Sequence, residues 1–281
     1  MPRKISRYLH HKHAPSILLK FPFLLYVYFW INHSSVLRIQ YSRRAIQHVL
    51  NRIAPPKHVL DAGCGLGDFL FTMPEIRNTE HATGIDASNS NIELCNRFAG
   101  TLQRANTHFI CGDLITTEFP TDQDVILCIG VLMYIQQDSA LMKKFHEALS
   151  PEGTLIVYVP VNYRRTLKLY TQLSKHPNFD YDHIIGRPHT YTDESIEQLF
   201  SAAGFHIEER RFSYGPIAAT MFEISAILEW MIKTWHPGFA LLLLPFFVIF
   251  YPFYYISMQI DYFSFRKTGN GVVITARKRM D

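Results

Sequence analysis

Cysteine is scarce and unpatterned in this chain. Cys64, Cys95, Cys111 and Cys128 are scattered over 281 residues with no Cys-x-x-Cys pair. Such spacing offers neither a zinc site nor a disulfide framework, and it fits a reducing compartment. A charge excess is missing too: 28 Lys+Arg against 24 Asp+Glu leave +4 at pH 7. The basic residues gather at the ends rather than in a broad stripe, which excludes nucleic acid as an expected partner. No internal repeat or long low-complexity segment is present, and the length suits one α/β domain with insertions.

The most informative stretch is His58–Leu70, His-Val-Leu-Asp-Ala-Gly-Cys-Gly-Leu-Gly-Asp-Phe-Leu. A short apolar strand runs into Asp61 and then into Gly63, Gly65 and Gly67 at alternate positions. Glycines in a turn that leaves a buried strand and opens a helix let a ligand approach the main chain closely. The spacing chooses between cofactors. A dinucleotide fingerprint would place its third glycine at position 68, which holds Asp68. A second strand, His81–Ser88, carries Asp86, a carboxylate able to accept both hydroxyl hydrogens of a ribose. His108–Leu114 reads as a third strand. Asp124–Leu132 is a near-continuous apolar run, as in a strand buried on both faces. Leu149–Pro160, Phe205–Phe212 and Gly271–Lys278 read as the remaining strands.

Three alternating glycines after an acidic residue, with these strands in this order, resemble the class I S-adenosylmethionine methyltransferases. The resemblance covers roughly residues 45–160 and 190–212 and the last strand. It implies an α/β, Rossmann-like sheet of seven strands, order 3-2-1-4-5-7-6 with strand 7 antiparallel. An N-terminal helical segment would precede it, and a hydrophobic helical insertion would separate strands 6 and 7. The implied cofactor is S-adenosylmethionine, held by Asp61, Gly63, Cys64, Gly65, Gly67, Asp86, Ala87, Asp113, Leu114 and Cys128. In the family, the residue matching Asp113 accepts a hydrogen bond from the adenine amino group. Cys64 and Cys128 read as small buried residues rather than nucleophiles. The Asn/Asp-Pro-Pro-Tyr tetrad of base methyltransferases is absent.

Two flanks depart from a plain enzyme of this kind. The N-terminus carries Arg3, Lys4, Arg7, Lys12 and Lys20, followed by the aromatic run Phe21–Ile31. No small-x-small site follows, so a secretory signal is not expected. The run is too short for a bilayer that needs about 20 residues. It fits an interfacial helix facing anionic lipid or a helix packed over the domain's own site. His10, His11 and His13 lack helical metal spacing and read as part of a solvated basic tail.

The second flank, Pro237–Ile260, has no charged residue. Strands 6 and 7 must share one sheet, so a single crossing is excluded. In the upstream segment Ile217, Met221, Ile224, Leu228, Met231 and Trp235 form one helical stripe, broken by Glu223 and Glu229. Each acid would cost roughly 2.5–3.5 kcal/mol at a bilayer centre. The expectation is a helix in the interface followed by a hydrophobic hairpin bent near Pro245 or Pro252, with a helical cap packed on the catalytic domain or on a second subunit as the alternative. The division is 1–44 N-terminal segment, 45–212 core, 213–265 insertion and 266–281 final strand and basic tail. A place on the cytoplasmic face of a membrane follows as an expectation; oligomeric state is open.

In the family, the acceptor site lies beyond strands 4 and 5. Candidate catalytic residues are Tyr134, where many relatives have histidine, and His183 and His189 in the loop Asp182–Tyr191. Asn162, Tyr163 and Arg164 could also line the site. Thr192 reads as a helix N-cap with Ser195 at N3. The leading function is methyl transfer to a hydrophobic, membrane-partitioned small molecule such as a lipid, quinone-like ring, polyene or aromatic polyketide. O-methylation is favoured over C-methylation. An aminopropyl transferase would have an acidic residue near Cys128-Ile-Gly-Val, which holds none. A membrane-bound protein that binds cofactor without turnover is the non-enzymatic alternative.

Overall fold

A computed structural model describes residues 21, 23–53, 55–161, 164–175, 179, 189–234, 238–264 and 266–279, with the side chains of 35, 229 and 232–247 left aside. Helices α1 (Leu24–Ser35) and α2 (Leu37–Leu50) come first, followed by β1 (His58–Ala62), α3 (Asp68–Thr72), α4 (Pro74–Arg77), β2 (His81–Asp86) and α5 (Asn89–Thr101). Next are β3 (Thr107–Cys111), β4 (Gln123–Ile129), a 3-10 turn Leu132–Tyr134, α6 (Asp138–Ala148), β5 (Leu149–Pro160) and α7 (Lys168–Leu173). The described chain closes with α8 (Asp193–Ala202), β6 (Phe205–Ser213), α9 (Pro216–Thr234), α10 (Gly238–Phe263) and β7 (Gly271–Lys278).

The seven strands form one sheet in the order β3-β2-β1-β4-β5-β7-β6. β1 to β5 run parallel, and β7 runs antiparallel to both β5 and β6. This is the expected class I order. Strands β1, β4 and β5 are buried on both faces by Val59, Leu60, Val125, Ile126, Leu127, Leu155 and Ile156, which is why their sequences show apolar runs rather than alternation. One face packs on α1, α2, α3 and α5 through Phe29, Tyr41, Ile46, Phe71 and Phe98. The other packs on α6 and α8 through Leu141, Phe145, Ile196 and Phe200. The strand order reverses between β1 and β4, so the crevice at their carboxyl ends is the natural binding place.

Thr192 caps α8 in a reciprocal box with Ser195, as expected. Several boundaries differ from the sequence reading. β4 ends at Ile129 rather than running to Leu132, because Gly130 takes φ +73° and the chain turns there. β3 stops at Cys111, leaving Asp113 in the following loop. α2 runs unbroken through residues 44 and 45, where the sequence reading divides segment from core. α10 continues as one helix through Pro245 and Pro252, so the expected hairpin does not form; between β6 and β7 the chain forms α9 packed on α10. Among the described residues, no helix is long and apolar enough to cross a membrane.

Two buried carboxylates tie α9 and α10 to the rest of the fold. Asp261, near the end of α10, accepts the backbone N–H groups of Tyr214 and Gly215 at 3.0 and 2.8 Å, with Arg266 Nε 2.9 Å away. Tyr41 of α2 donates to its main-chain oxygen at 2.7 Å. Glu223 of α9 accepts the N–H groups of Thr166 and Leu167 at 2.8 and 2.7 Å and the Thr166 hydroxyl at 2.9 Å. The acid that would cost energy in a bilayer instead satisfies the backbone where α7 begins.

Candidate active site

The turn after β1 holds three glycines in the left-handed region, Gly63, Gly65 and Gly67 at φ +82°, +56° and +75°. The amides of Gly63 and Cys64 both donate to the Ile85 carbonyl, at 2.7 and 3.0 Å, fastening the turn to β2. A Cβ on Gly63 would lie 2.3 Å from Val131, and one on Gly67 would lie 2.7 Å from the Phe71 ring. At Gly65 a Cβ would meet nothing within 4 Å. Two glycines therefore serve packing, and the middle one faces open space at the carboxyl edge of the sheet.

Two carboxylates flank that opening. Asp86 ends β2 and receives the Gly65 amide on Oδ2 at 2.9 Å and the Ser88 amide on Oδ1 at 2.9 Å. Asn91 Nδ2 lies 3.4 Å from the same Oδ1. Asp61 in β1 is 1% exposed, and its Oδ2 has no hydrogen-bond partner among the described residues. Burial, then the neighbouring Asp68 and Asp86 carboxylates, push its carboxyl up to about 8. A buried carboxyl with one unsatisfied oxygen has room for one further polar partner.

The remaining expected cofactor positions divide. Cys64 and Cys128 are buried, and burial pushes the Cys128 thiol up to about 12 and the Cys64 thiol well above its ordinary value. Both are neutral packing groups. Ala87 is exposed beside Asp86, and Leu114 is buried. Asp113 is exposed, and its Oδ1 accepts the Ile115 amide at 2.7 Å, which closes the loop after β3.

Helices α1 and α2 contribute groups that the sequence reading missed. His33 Nε2 lies 2.6 Å from Asp68 Oδ1, at the first residue of α3 behind the glycine turn. Arg43 donates to the Thr72 hydroxyl at the other end of α3. Arg38 places its guanidinium 3.4 Å from where a Gly130 side chain would stand, over the end of β4. No local motif marks these residues, since each acts across a tertiary interface.

On the acceptor side, a bridge between Val161 and Tyr191 sets the segment 189–191 beside the end of β5. Tyr191 donates to Asp138 Oδ2 at 3.0 Å and to the Leu132 carbonyl at 3.4 Å. His189 stacks on Tyr191, with Nε2 3.2 Å from the Gln136 carbonyl and 3.7 Å from Asp138 Oδ2. Asp138, absent from the sequence reading, thus gathers His189 and Tyr191 against the 3-10 turn that carries the half-buried Tyr134. Arg164 is exposed, its backbone held at both polar groups by the Asn270 side chain. His183, Asn162 and Tyr163 lie outside the described residues.

Comparison with known proteins agrees with this geometry. Residues 38–210 match the profile of a family described as methyltransferase domain. Phosphoethanolamine N-methyltransferase 1 of Arabidopsis thaliana is 32% identical over 111 residues, 37% of this chain and 21% of that protein. The mitochondrial ubiquinone biosynthesis O-methyltransferase of Schizosaccharomyces pombe is 28% identical over 103 residues, 36% of this chain and 37% of that protein. The match thus spans 21% to 37% of the length of these relatives. Among solved structures, StiE O-MT residues 942–1257 superimposes with a TM-score of 0.55 at 18% identity, over 89% of this chain and 81% of the other, a likeness of fold. With the family profile matching more than half of its length, this chain belongs to the methyltransferase domain family, and its cofactor is S-adenosylmethionine.

Proposed function

We propose that this protein methylates an oxygen of a hydrophobic small molecule that partitions into a membrane, working from the cytoplasmic face. The observation that carries the methyl-transfer reading is the left-handed glycine turn, with Asp86 bonded to the Gly65 amide and Asp61 buried in β1 just before the turn. Asp86 stands where it can accept the hydroxyl hydrogens of a ribose. The unpartnered oxygen of Asp61 suits the α-ammonium of the cofactor's methionine part. Arg38, over the end of β4, offers a cation for the α-carboxylate. S-adenosylmethionine, when bound, supplies a methyl group already activated by its sulfonium.

The chain's own part is then positioning and proton removal. His189 takes the proton of the acceptor hydroxyl, with the Gln136 carbonyl and the Tyr191 ring fixing the imidazole and the Asp138 carboxylate 3.7 Å away favouring its charged form. Leu132 and Met133 wall this end of β4 and exclude water. For the acceptor, support comes from the exposed aromatics of α1 and α10, among them Trp30 at 70% and Phe263 at 74% exposure. Aromatic side chains of this kind favour a membrane interface. The names of the relatives include both O- and N-methyltransferases; a histidine base favours an oxygen acceptor, whose proton must leave.

The test is transfer of radiolabelled methyl from S-adenosylmethionine into a lipid extract, with mass spectrometry of the labelled product. Label on an apolar, O-methylated product is expected. Label confined to water-soluble amines would overturn the acceptor assignment.

A further inference from the structure

On the outer side of the helical layer, a cleft of about 330 Å³ opens between α1, α2 and α10. Its walls include His33, Gln40, Arg43, Arg44, Gln259 and Tyr262, and no carboxylate lines it among the described residues. Arg44 lies over the Tyr262 ring, 5.5 Å from its centroid, and makes no ion pair among the described residues. Arg43 is held at one end by Thr72, and its guanidinium carries five donors in all. Asp68 and Glu75 stand behind this wall, bonded to His33 and Gln47, and they offset the charge of Arg43; Arg44, over the Tyr262 ring, is the cation left to face a phosphate.

The surroundings decide which phosphate. Phe23, which caps the start of α1, and Val27 and Trp30 on it are exposed on one face with Ser34, which lines the cleft. On α10, Val248 and Tyr251 are exposed and share a face with Tyr255, Gln259 and Tyr262, which also line it. α1 and α10 pack against each other, so two apolar stripes converge on one basic cleft. A soluble phosphate needs no such stripes, whereas a phospholipid in a bilayer presents a headgroup phosphate beside acyl chains.

We propose that this cleft seats the headgroup of an anionic phospholipid while the flanking stripes of α1 and α10 lie in the bilayer interface. The inference rests on the membrane-partitioned acceptor proposed above. It adds a site outside the methyl-transfer crevice, one that selects lipid by charge and fixes how the enzyme sits on the surface.

The experiment is flotation of the full-length protein with vesicles of phosphatidylcholine alone or mixed with phosphatidylglycerol. Binding to the mixed vesicles should exceed binding to the neutral ones and weaken with added salt. Arg44→Gln should lower partitioning into mixed vesicles roughly fivefold and Arg44→Glu roughly twentyfold, while Arg44→Lys keeps most of it. All three should retain S-adenosylhomocysteine binding by calorimetry, which shows that the fold is intact. Equal binding of parent and Arg44→Glu to mixed vesicles would overturn the headgroup site and leave the membrane reading standing. Failure of the parent to float with any vesicle would overturn both.

Discussion

Asp86 Oδ2 accepts the Gly65 amide at 2.9 Å, joining the end of β2 to the middle of the glycine turn. The same carboxylate holds the Ser88 amide through its other oxygen. It therefore fixes the shape of the turn while keeping lone pairs for a ribose. Gly65 needs its left-handed backbone for this bond, and its α-carbon faces the opening.

The glycines should separate stability from binding. Gly63→Ala places a methyl 2.3 Å from Val131 at a left-handed φ, and should lower unfolding free energy by about 3 kcal/mol from crowding and backbone strain together. Gly65→Ala meets no neighbour; it should cost about 1–2 kcal/mol of strain yet weaken cofactor binding, because the methyl enters the ligand's path. Urea unfolding and calorimetry on the two variants give both numbers. Equal effects of the two on binding would contradict the assignment of Gly65 to the ligand face.

Asp61 should make stability and binding depend on pH in opposite senses. Its carboxyl is raised from 3.8 to about 8. Between those values the folded protein holds a proton that the unfolded chain has lost, so this group's contribution to stability falls as pH rises through the window. Binding of an ammonium favours the ionised form, so cofactor affinity should rise toward pH 8 with release of a proton. Calorimetry in buffers of different ionisation enthalpy measures that release. Asp61→Asn should abolish both trends; a variant that keeps the proton release would place its source elsewhere.

His189 and Asp138 should affect turnover and spare cofactor binding. His189→Ala is expected to lower kcat by about 100- to 10,000-fold with S-adenosylhomocysteine affinity unchanged. Asp138→Asn should give a smaller loss and a shifted pH–rate profile, because the ring stays and its partner's charge goes. Rates within twofold of the parent for His189→Ala would remove it as the base.

The sheet was largely legible because strands buried on both faces leave apolar runs, and β1, β4 and β5 are buried that way. β7 was legible to the residue, Gly271–Lys278. Asp86 and the glycine turn could be read at residue level because their chemistry is local to a strand end. His33, Arg38 and Arg43 could not, since each reaches a partner on another element and helix periodicity is silent about such pairs. Asp138 stood in plain view at the start of α6, but only the fold brings His189 to it, 51 residues later. Glu223 argues in the sequence against a bilayer crossing, and among the described residues no helix is long and apolar enough for one; that it accepts three donors from residues 166 and 167 is not legible, because those donors lie on another element. Pro245 and Pro252 carried a break signal that α10, packed on α9, overrides.

The central claim is that the crevice beside Asp61, Gly65 and Asp86 holds S-adenosylmethionine. Titration calorimetry of the full-length protein with S-adenosylhomocysteine tests it most directly. One equivalent should bind, and Asp86→Ala, folded by circular dichroism, should bind on the order of 100-fold more weakly through loss of two charge-assisted hydrogen bonds. No binding by the parent, or equal affinity in Asp86→Ala, would contradict the account.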